Sequence, residues 1–353
     1  MTPACTGGIM IENQKEQKAF EARLSRQIAA YHDAALLYAA VKLGLPDRLA
    51  AQASTAEQLA EALGLPAPRL RRFLRGLVTL GICEERPDRT FALTSSGRSL
   101  TSGAPSRLAE KVQIVVGQYW RPWSDLVSCL QSGKPSFEQV FGMDVRDWRR
   151  THAEQGALFD SYVAKETLAQ ADSIVEALDV SGVKTVAEIG GGYGGLLAAI
   201  LRAHPHLTGI LFDQPHMVEG AKLFLQACGV AEIVRCVGGD ILREIPVEAD
   251  LYVLKAVLQN WDDAEVSAIL ANCRKVMPPS AKLLVVERLL PERASDDAAA
   301  IMLDLHMMVI TGGRVRSLAE IEALLSQAGL ALSKVSSATA GQSILVAEVK
   351  NEP

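Results

Sequence analysis

The chain lacks the raw material for several common kinds of functional site. No two of its six cysteines (Cys5, Cys83, Cys129, Cys228, Cys236, Cys273) form a CxxC pair, and its six histidines are scattered. That spacing offers neither a zinc motif nor a disulfide framework, and it fits a reduced, cytoplasmic setting. His204, His206 and His216 lie beside Pro205 and Pro215 in loop-like sequence, so no metal is expected there. No apolar run reaches the ~20 residues of a membrane helix. The first residues lack the charged start and apolar centre of a signal peptide. Basic charge is not in excess either. The net charge of −5 leaves nucleic-acid binding without its electrostatic footprint. Aromatic residues make up 5% of the chain, so the close set Tyr119, Trp120 and Trp123 is a candidate wall for a flat substrate.

Length and hydrophobic content are ample. With 353 residues and 49% hydrophobic side chains, two soluble domains are expected. The most informative stretch runs from Thr185 to Gly195. A short apolar run with Glu188 near its end, Thr185–Ile189, breaks into glycines, and a helical pattern follows from Leu196 to Ala203. Strand, tight turn and helix in that order open a doubly wound α/β fold, whose ligands sit beyond the carboxyl ends of the strands. Gly190, Gly192 and Gly194 allow the sharp turn and a close approach of backbone to ligand.

The acids near this loop narrow the ligand. Glu188, just before the first glycine, would repel a pyrophosphate but could pair with an ammonium. No Walker-type lysine follows, which argues against a nucleoside triphosphate. The next apolar run, Gly209–Phe212, ends in Asp213, about twenty residues on, where an acid takes ribose hydroxyls. A third strand is expected near Glu232–Cys236, and Asp240 and Ile241 follow it. Glycine loop, ribose acid and third acid in this order resemble the S-adenosylmethionine site of class I methyltransferases.

The N-terminal half reads as helices and a hairpin. Apolar periodicity predicts a helix over Ala29–Leu43 stopped by Gly44, and Ser54 to Glu57 reads as a capping box. A further helix is expected over Arg69–Leu80, closed by Gly81. Ile82–Arg86 and Thr90–Thr94 flank a Pro87–Asp88 turn, completing a winged-helix pattern. Arg69, Arg71, Arg72 and Arg75 lie where a DNA reader would place contacts, but Glu84 and Glu85 on the wing would repel phosphate. Longer helices are expected over Val112–Leu130 and Glu154–Leu178. The expected division is a flexible N-terminus (1–18), a winged-helix domain (19–105), linking helices (106–178) and a Rossmann-like domain (179–350).

From about Ala29 to Val349 the chain resembles the small-molecule O-methyltransferases of plants and bacterial antibiotic pathways. Leu77–Gly81, Glu188–Gly194, Phe212–Pro215, Gly239–Asp240, Leu254–Lys255, Trp261–Asp263 and Gly312–Arg314 carry the resemblance. It implies a cytoplasmic homodimer joined through the winged-helix domain, with no nucleic-acid or membrane partner. It implies S-adenosylmethionine held by Glu188, Gly190, Gly192, Asp213, Gln214, Asp240, Ile241, Lys255 and Trp261. A small aromatic or heteroaromatic substrate would lie among Tyr119, Trp120, Phe159, Tyr162, Val163, Glu166 and Met307.

The chain departs from the family at its catalytic segment. Gln259 stands at the position of the family's histidine base, Asn260 at its acidic neighbour, and Val315 at the acid that orients the base. Glutamine forms hydrogen bonds but cannot carry a proton away near neutral pH. Leu303–Met308 resembles the bacterial phenazine N-methyltransferase, which also lacks the histidine. Transfer to a ring nitrogen, aligned by Gln259 and Asn260 with Asp304 and His306 nearby, is therefore favoured. O-methylation remains open if the hydroxyl is acidic or if Asp304, His306, His152 or Glu166 serves as base. A non-methylating enzyme that keeps S-adenosylmethionine as a fixed charge and a winged-helix DNA regulator are the further alternatives.

Overall fold

A computed structural model describes residues 5–350, with side chains from Lys15 onward. It divides into two units, residues 1–118 and 119–353. Of the expected flexible stretch, residues 1–4 lie outside the described residues and the remainder opens the helix Cys5–Ala29.

In the first unit the helices Tyr31–Lys42, Leu45–Ala51, Ala56–Leu63 and Ala67–Thr79 pack with a small antiparallel sheet. Its strands are β1 (Ser54–Thr55), β2 (Cys83–Glu85) and β3 (Thr90–Leu93), ordered β1-β3-β2. Leu70, Leu74 and Leu77 recur at helical spacing and bury one stripe against Leu45 and Phe91. This is the winged-helix pattern read from the sequence, with one shift of register. The capping box is Thr55 with Gln58, because the helix begins at Ala56 and the Thr55 hydroxyl accepts the Gln58 N–H, while the Ser54 hydroxyl donates to the Gln52 oxygen. Arg71 reaches Glu57 at 2.9 Å, and Arg75 reaches Glu85 at 3.4 Å, so two of the four helix arginines pair with acids of their own unit.

The expected helix Val112–Leu130 is interrupted. Leu108–Ile114 passes through a π-helical turn, Val115–Tyr119, into the short helices Trp120–Ser124 and Leu126–Ser132. Pro122 supplies the reason: it has no N–H for the helical ladder, and its ring crowds the preceding turn. Glu154–Leu178 likewise becomes Ala153–Gln170 and Asp172–Ala177, separated at Ala171, whose N–H reaches back only to the Leu168 oxygen.

The second unit is built on a seven-stranded sheet: β4 (Thr185–Ile189), β5 (Thr208–Asp213), β6 (Val234–Gly238), β7 (Leu251–Lys255), β8 (Lys282–Glu287), β9 (Leu330–Ser337) and β10 (Ser343–Val349). The spatial order is β6-β5-β4-β7-β8-β10-β9. Pairings from β6 to β8 are parallel and those of β10 antiparallel. β6 begins at Val234, later than the sequence suggested, because Ala231–Ile233 forms a 3-10 turn.

Alternate residues of the central strands enter different cores. Ala187, Ile189, Tyr252, Leu254, Leu283 and Val285 pack on one face. Val186, Val253, Leu284 and Val286 pack on the other, against Leu196–Leu201. Burial on both faces is what parallel strands with crossover helices require. The strand order reverses beside β4, and that is where such sheets open their ligand crevice. The protein is thus an α/β chain with a Rossmann-like unit preceded by a mainly helical one. No helix among the described residues is long and apolar enough to cross a membrane.

Thr55→Ala removes the acceptor for the Gln58 N–H and should lower stability by about 1 kcal/mol. Ser54→Ala, outside the cap, should stay within about 0.5 kcal/mol of wild type. Urea unfolding of the full chain would separate the two residues.

Candidate active site

The carboxyl ends of β4 to β8 gather the chemistry. Gly190 and Gly192 both have positive φ, 68° and 59°. A Cβ on Gly190 would stand 3.0 Å from Val257, so a side chain there would close the loop against its neighbour. Asp213 braces the same loop. Its two carboxylate oxygens accept the Gly192 N–H at 2.7 Å and the Gln214 N–H at 2.6 Å. A carboxylate offers about four acceptor positions, so ribose hydroxyls could still be received. Burial raises the Asp213 carboxyl above its ordinary value, opposed by those two N–H groups.

Glu188 is turned inward. It is buried and accepts the Leu197 N–H at 3.0 Å. Burial pushes its carboxyl up to about 7, against the pull of that N–H and of Lys255. Lys255 donates to Thr167 Oγ1 at 3.0 Å, and burial lowers its ammonium while Glu188, Glu287 and Glu166 hold it up. Asp240 is exposed and accepts the Leu242 N–H at 3.0 Å, beside half-buried Ile241. The chemistry of the set suits S-adenosylmethionine: the glycine loop and the Asp213 carboxylate offer backbone approach and acceptors for a cationic, hydroxyl-bearing ligand, and Lys255 is drawn inward towards Thr167.

After β7 the backbone turns sharply. Ala256 sits at φ 54°, in the left-handed region, and the 3-10 turn Leu258–Asn260 follows. Asn260 folds back, its Nδ2 donating to the Ala256 and Val257 oxygens at 2.8 and 3.2 Å. Three groups that the sequence reading missed hold this turn. Arg316 is 2% exposed and donates to the Leu258 oxygen (2.9 Å), the Trp261 oxygen (2.8 Å) and Asp263. Glu287 accepts the Leu258 N–H at 2.9 Å. Arg146 donates to the Asn260 oxygen at 3.1 Å and lies 3.7 Å from the centre of the Trp261 ring. For Glu287 there was a signal, an acid ending a buried strand. The arginines gave none, because their partners are backbone carbonyls distant in sequence.

On the substrate side, Asp304 accepts the Val315 N–H at 2.8 Å. His306 Nδ1 accepts the Trp123 indole N–H at 3.2 Å. The proton of the neutral ring therefore sits on Nε2. Burial, with Arg149 adding to it, pulls this histidine down to about 4. Tyr119 meets the His306 ring edge-on at 4.6 Å. Met307 is buried, and Trp120, Phe159 and Tyr162 are half-buried, while Val163 is 40% exposed. Glu166 accepts from Gln170 at 3.1 Å, and His152 stacks on Trp148 with ring centres 4.3 Å apart. Asp160 was also missed: burial pushes its carboxyl up to about 7, Asp213 adds to the rise and Arg149 opposes it. Among the described residues no cluster of three metal-ligating side chains occurs.

A doubly wound sheet with this loop, this run of acids and this helical leader defines a small-molecule methyltransferase. The chain belongs to the O-methyltransferase family: residues 123–331 match its O-methyltransferase domain and residues 26–103 its dimerisation domain. It is 37% identical to the phenazine O-methyltransferase of Lysobacter antibioticus, over 92% of this chain and 95% of that protein. It is 29% identical to the phenazine-1-carboxylate N-methyltransferase of Pseudomonas aeruginosa, over 85% and 88%. Among solved structures it is similar to an O-methyltransferase from neocarzinostatin biosynthesis in complex with S-adenosylmethionine and 2-hydroxy-5-methyl naphthoic acid. That match has a TM-score of 0.79 and 28% identity, and it covers 90% of this chain and 96% of the other.

Two predictions follow from the turn after β7. Glu287 titrates near 4.5 when unfolded and near 7 when folded, so the folded chain holds its proton more tightly. The stability it contributes is fully present below about 4.5 and is lost as pH rises towards about 7. Glu287→Gln should flatten the fall of the urea midpoint across that window; an undiminished slope would assign the titration to another group. Arg316→Leu leaves the Trp261 carbonyl without its donor, while the Leu258 carbonyl keeps the Trp261 N–H, and should cost about 1–3 kcal/mol, measured by the same unfolding.

Proposed function

We propose that this protein transfers the methyl group of S-adenosylmethionine to a ring nitrogen of a small, flat heteroaromatic compound of the antibiotic or phenazine type. The observation that carries this reading is Gln259 on the turn after β7, a side chain that positions but cannot remove a proton. Its neighbours reinforce it. Asp304 receives the Val315 N–H, the Nδ1 of His306 receives the Trp123 N–H, and Glu287 receives the Leu258 N–H. A ring nitrogen with a free lone pair brings no proton to remove, whereas a phenol of pKa ~10 gains about 10²–10⁴-fold from a base.

S-adenosylmethionine supplies, when bound, an electrophilic methyl on a sulfonium that leaves without acid assistance. The protein's part is placement. Asp213 takes the ribose hydroxyls, Asp240 and Ile241 border the adenine, and the Gly190–Gly192 backbone faces the amino-acid end. Glu188, Gln214, Lys255 and Trp261 complete that wall. Tyr119, Trp120, Phe159, Tyr162, Val163, Glu166 and Met307 border the acceptor ring, and Gln259 and Asn260 orient it. The dimerisation domain supports a homodimer, and Phe20, Leu24, Ile28 and Tyr31 offer exposed apolar surface for it. Cys83, Cys129, Cys228, Cys236 and Cys273 are free thiols, which suits a cytoplasmic setting.

A second reading has one specific observation behind it. Asp160, with its carboxyl near 7, could accept the proton of an aromatic hydroxyl, giving O-methylation. Methyl-labelled S-adenosylmethionine, supplied with paired phenols and nitrogen heteroaromatics and analysed by mass spectrometry, decides the acceptor. Label on nitrogen, with Gln259→Ala and Asp160→Asn each reducing kcat less than about 10²-fold, supports the first reading. Label on oxygen, with Asp160→Asn losing more than that, supports the second. Asp213→Ala should weaken cofactor binding by roughly tenfold or more in calorimetric titration.

A further inference from the structure

Trp261 belongs to the wall proposed for the cofactor, and a cation from a helix far back in the sequence lies on its ring. Arg146 stands on the helix Val145–Thr151. Its guanidinium carbon is 3.7 Å from the centre of the Trp261 ring. One of its nitrogens donates at 3.1 Å to the Asn260 oxygen, the carbonyl of the peptide that leads into Trp261. Burial lowers the guanidinium from its ordinary value, and Asp144 and Glu265 oppose that shift. A guanidinium drawn partly out of water is here compensated by a carbonyl at its edge and a ring at its face.

The main chain of Trp261 does not depend on this contact. Its N–H donates to the Leu258 oxygen at 3.2 Å, and its own oxygen receives Arg316 at 2.8 Å. What Arg146 adds is a hold on the ring, whose two χ angles those backbone bonds leave open. Arg146 is delivered from a fixed base. Asp144 caps its helix by accepting the Arg146 and Asp147 N–H groups at 2.8 and 3.0 Å, and Val145 and Trp148 are buried in one cluster with Val309 and Ile310. The segment that carries Trp261 also borders the glycine loop, since a Cβ on Gly190 would stand 3.0 Å from Val257. Trp261 and Ile241 flank one core cluster. A ring ordered before its ligand arrives avoids the entropy loss of ordering it on binding.

We infer that Arg146 is a positioning residue for the cofactor, which it serves by fixing the Trp261 ring. The inference rests on the proposed function for placing Trp261 at the cofactor, and it is tested by binding without turnover. S-adenosylhomocysteine is titrated calorimetrically into the full-length wild type, Arg146→Met, Trp261→Ala and the double variant, which together form a mutant cycle. A spectroscopic signature accompanies it. The four tryptophans, labelled as 5-fluorotryptophan, give four fluorine resonances, and Trp261→Phe identifies the one that belongs to Trp261.

Arg146→Met should weaken binding about twofold to tenfold. The double variant should bind no more weakly than Trp261→Ala, because the guanidinium then has no ring to orient. Arg146→Lys should recover part of the loss, since an ammonium can reach the Asn260 oxygen but does not stack flat. The Trp261 resonance should move in Arg146→Met before any ligand is added. It should stay in place in Arg150→Met, which removes only an exposed pair with Asp147. If Arg146→Met folds poorly, the cycle and the spectrum are taken with Arg146→Lys instead. No binding by wild type would overturn the methyl-transfer reading and this inference with it. Binding by wild type that is unchanged in the Arg146 variants or in Trp261→Ala, losses that add in the double variant, or a Trp261 resonance that ignores Arg146 would each overturn the positioning role alone.

Discussion

The turn after β7 is held in place by one buried cation. Arg316 reaches two carbonyls and a carboxylate across a segment of six residues, Leu258 to Asp263. Without it, the Trp261 oxygen would lose its donor and the Leu258 oxygen would keep only the Trp261 N–H. Glu287 closes the arrangement from the other side by receiving the Leu258 N–H. Gly313 allows the closeness, since a Cβ there would collide with the Gln259–Trp261 backbone. Ala256, with φ 54°, is strained at a cost of about 1–2 kcal/mol, and such strain persists only where surrounding contacts over-determine it. Gln259 is therefore carried on a rigid support, although it is not itself a proton carrier. That combination suits a catalyst that works by alignment.

Charge in the site follows from the same confinement. Glu188 and Glu287 are buried acids whose carboxyls rise to about 7, with Lys255 between them. Each is satisfied by a backbone N–H from a neighbouring element, so they join strand ends to turns. Asp213 braces the glycine loop through the Gly192 and Gln214 N–H groups, and Asp240 receives the Leu242 N–H at the surface.

Much of this was legible in the residues. The glycine loop, Asp213 and the alternation of the central strands require only local pattern, because neighbours in sequence are neighbours in the sheet. The replacement at Gln259 was also visible, as one residue set against a family pattern. What escaped was long-range or conformational. Arg316 acts on a segment more than fifty residues away, and Arg146 does so over 114. The left-handed Ala256 carries no glycine to announce it. The break at Pro122 could have been read from proline chemistry, but the apolar periodicity on either side concealed it. Ser54 and Thr55 are both good caps and both pair with β3, so the choice between them rested on where the helix begins.

The strand order has a consequence for how the chain behaves among its own copies. With β10 inserted between β8 and β9, the sheet ends on β6 and β9, and each presents unpaired backbone groups. Such margins invite edge-to-edge stacking and fibre growth unless they are blunted. β6 carries exposed Arg235, and β9 carries exposed Lys334 among serines. The pairing of β9 with β10 also slips between Val346 and Ala347, and an irregularity of that kind twists the margin away from a flat partner. The sheet is thereby made a poor template for aggregation.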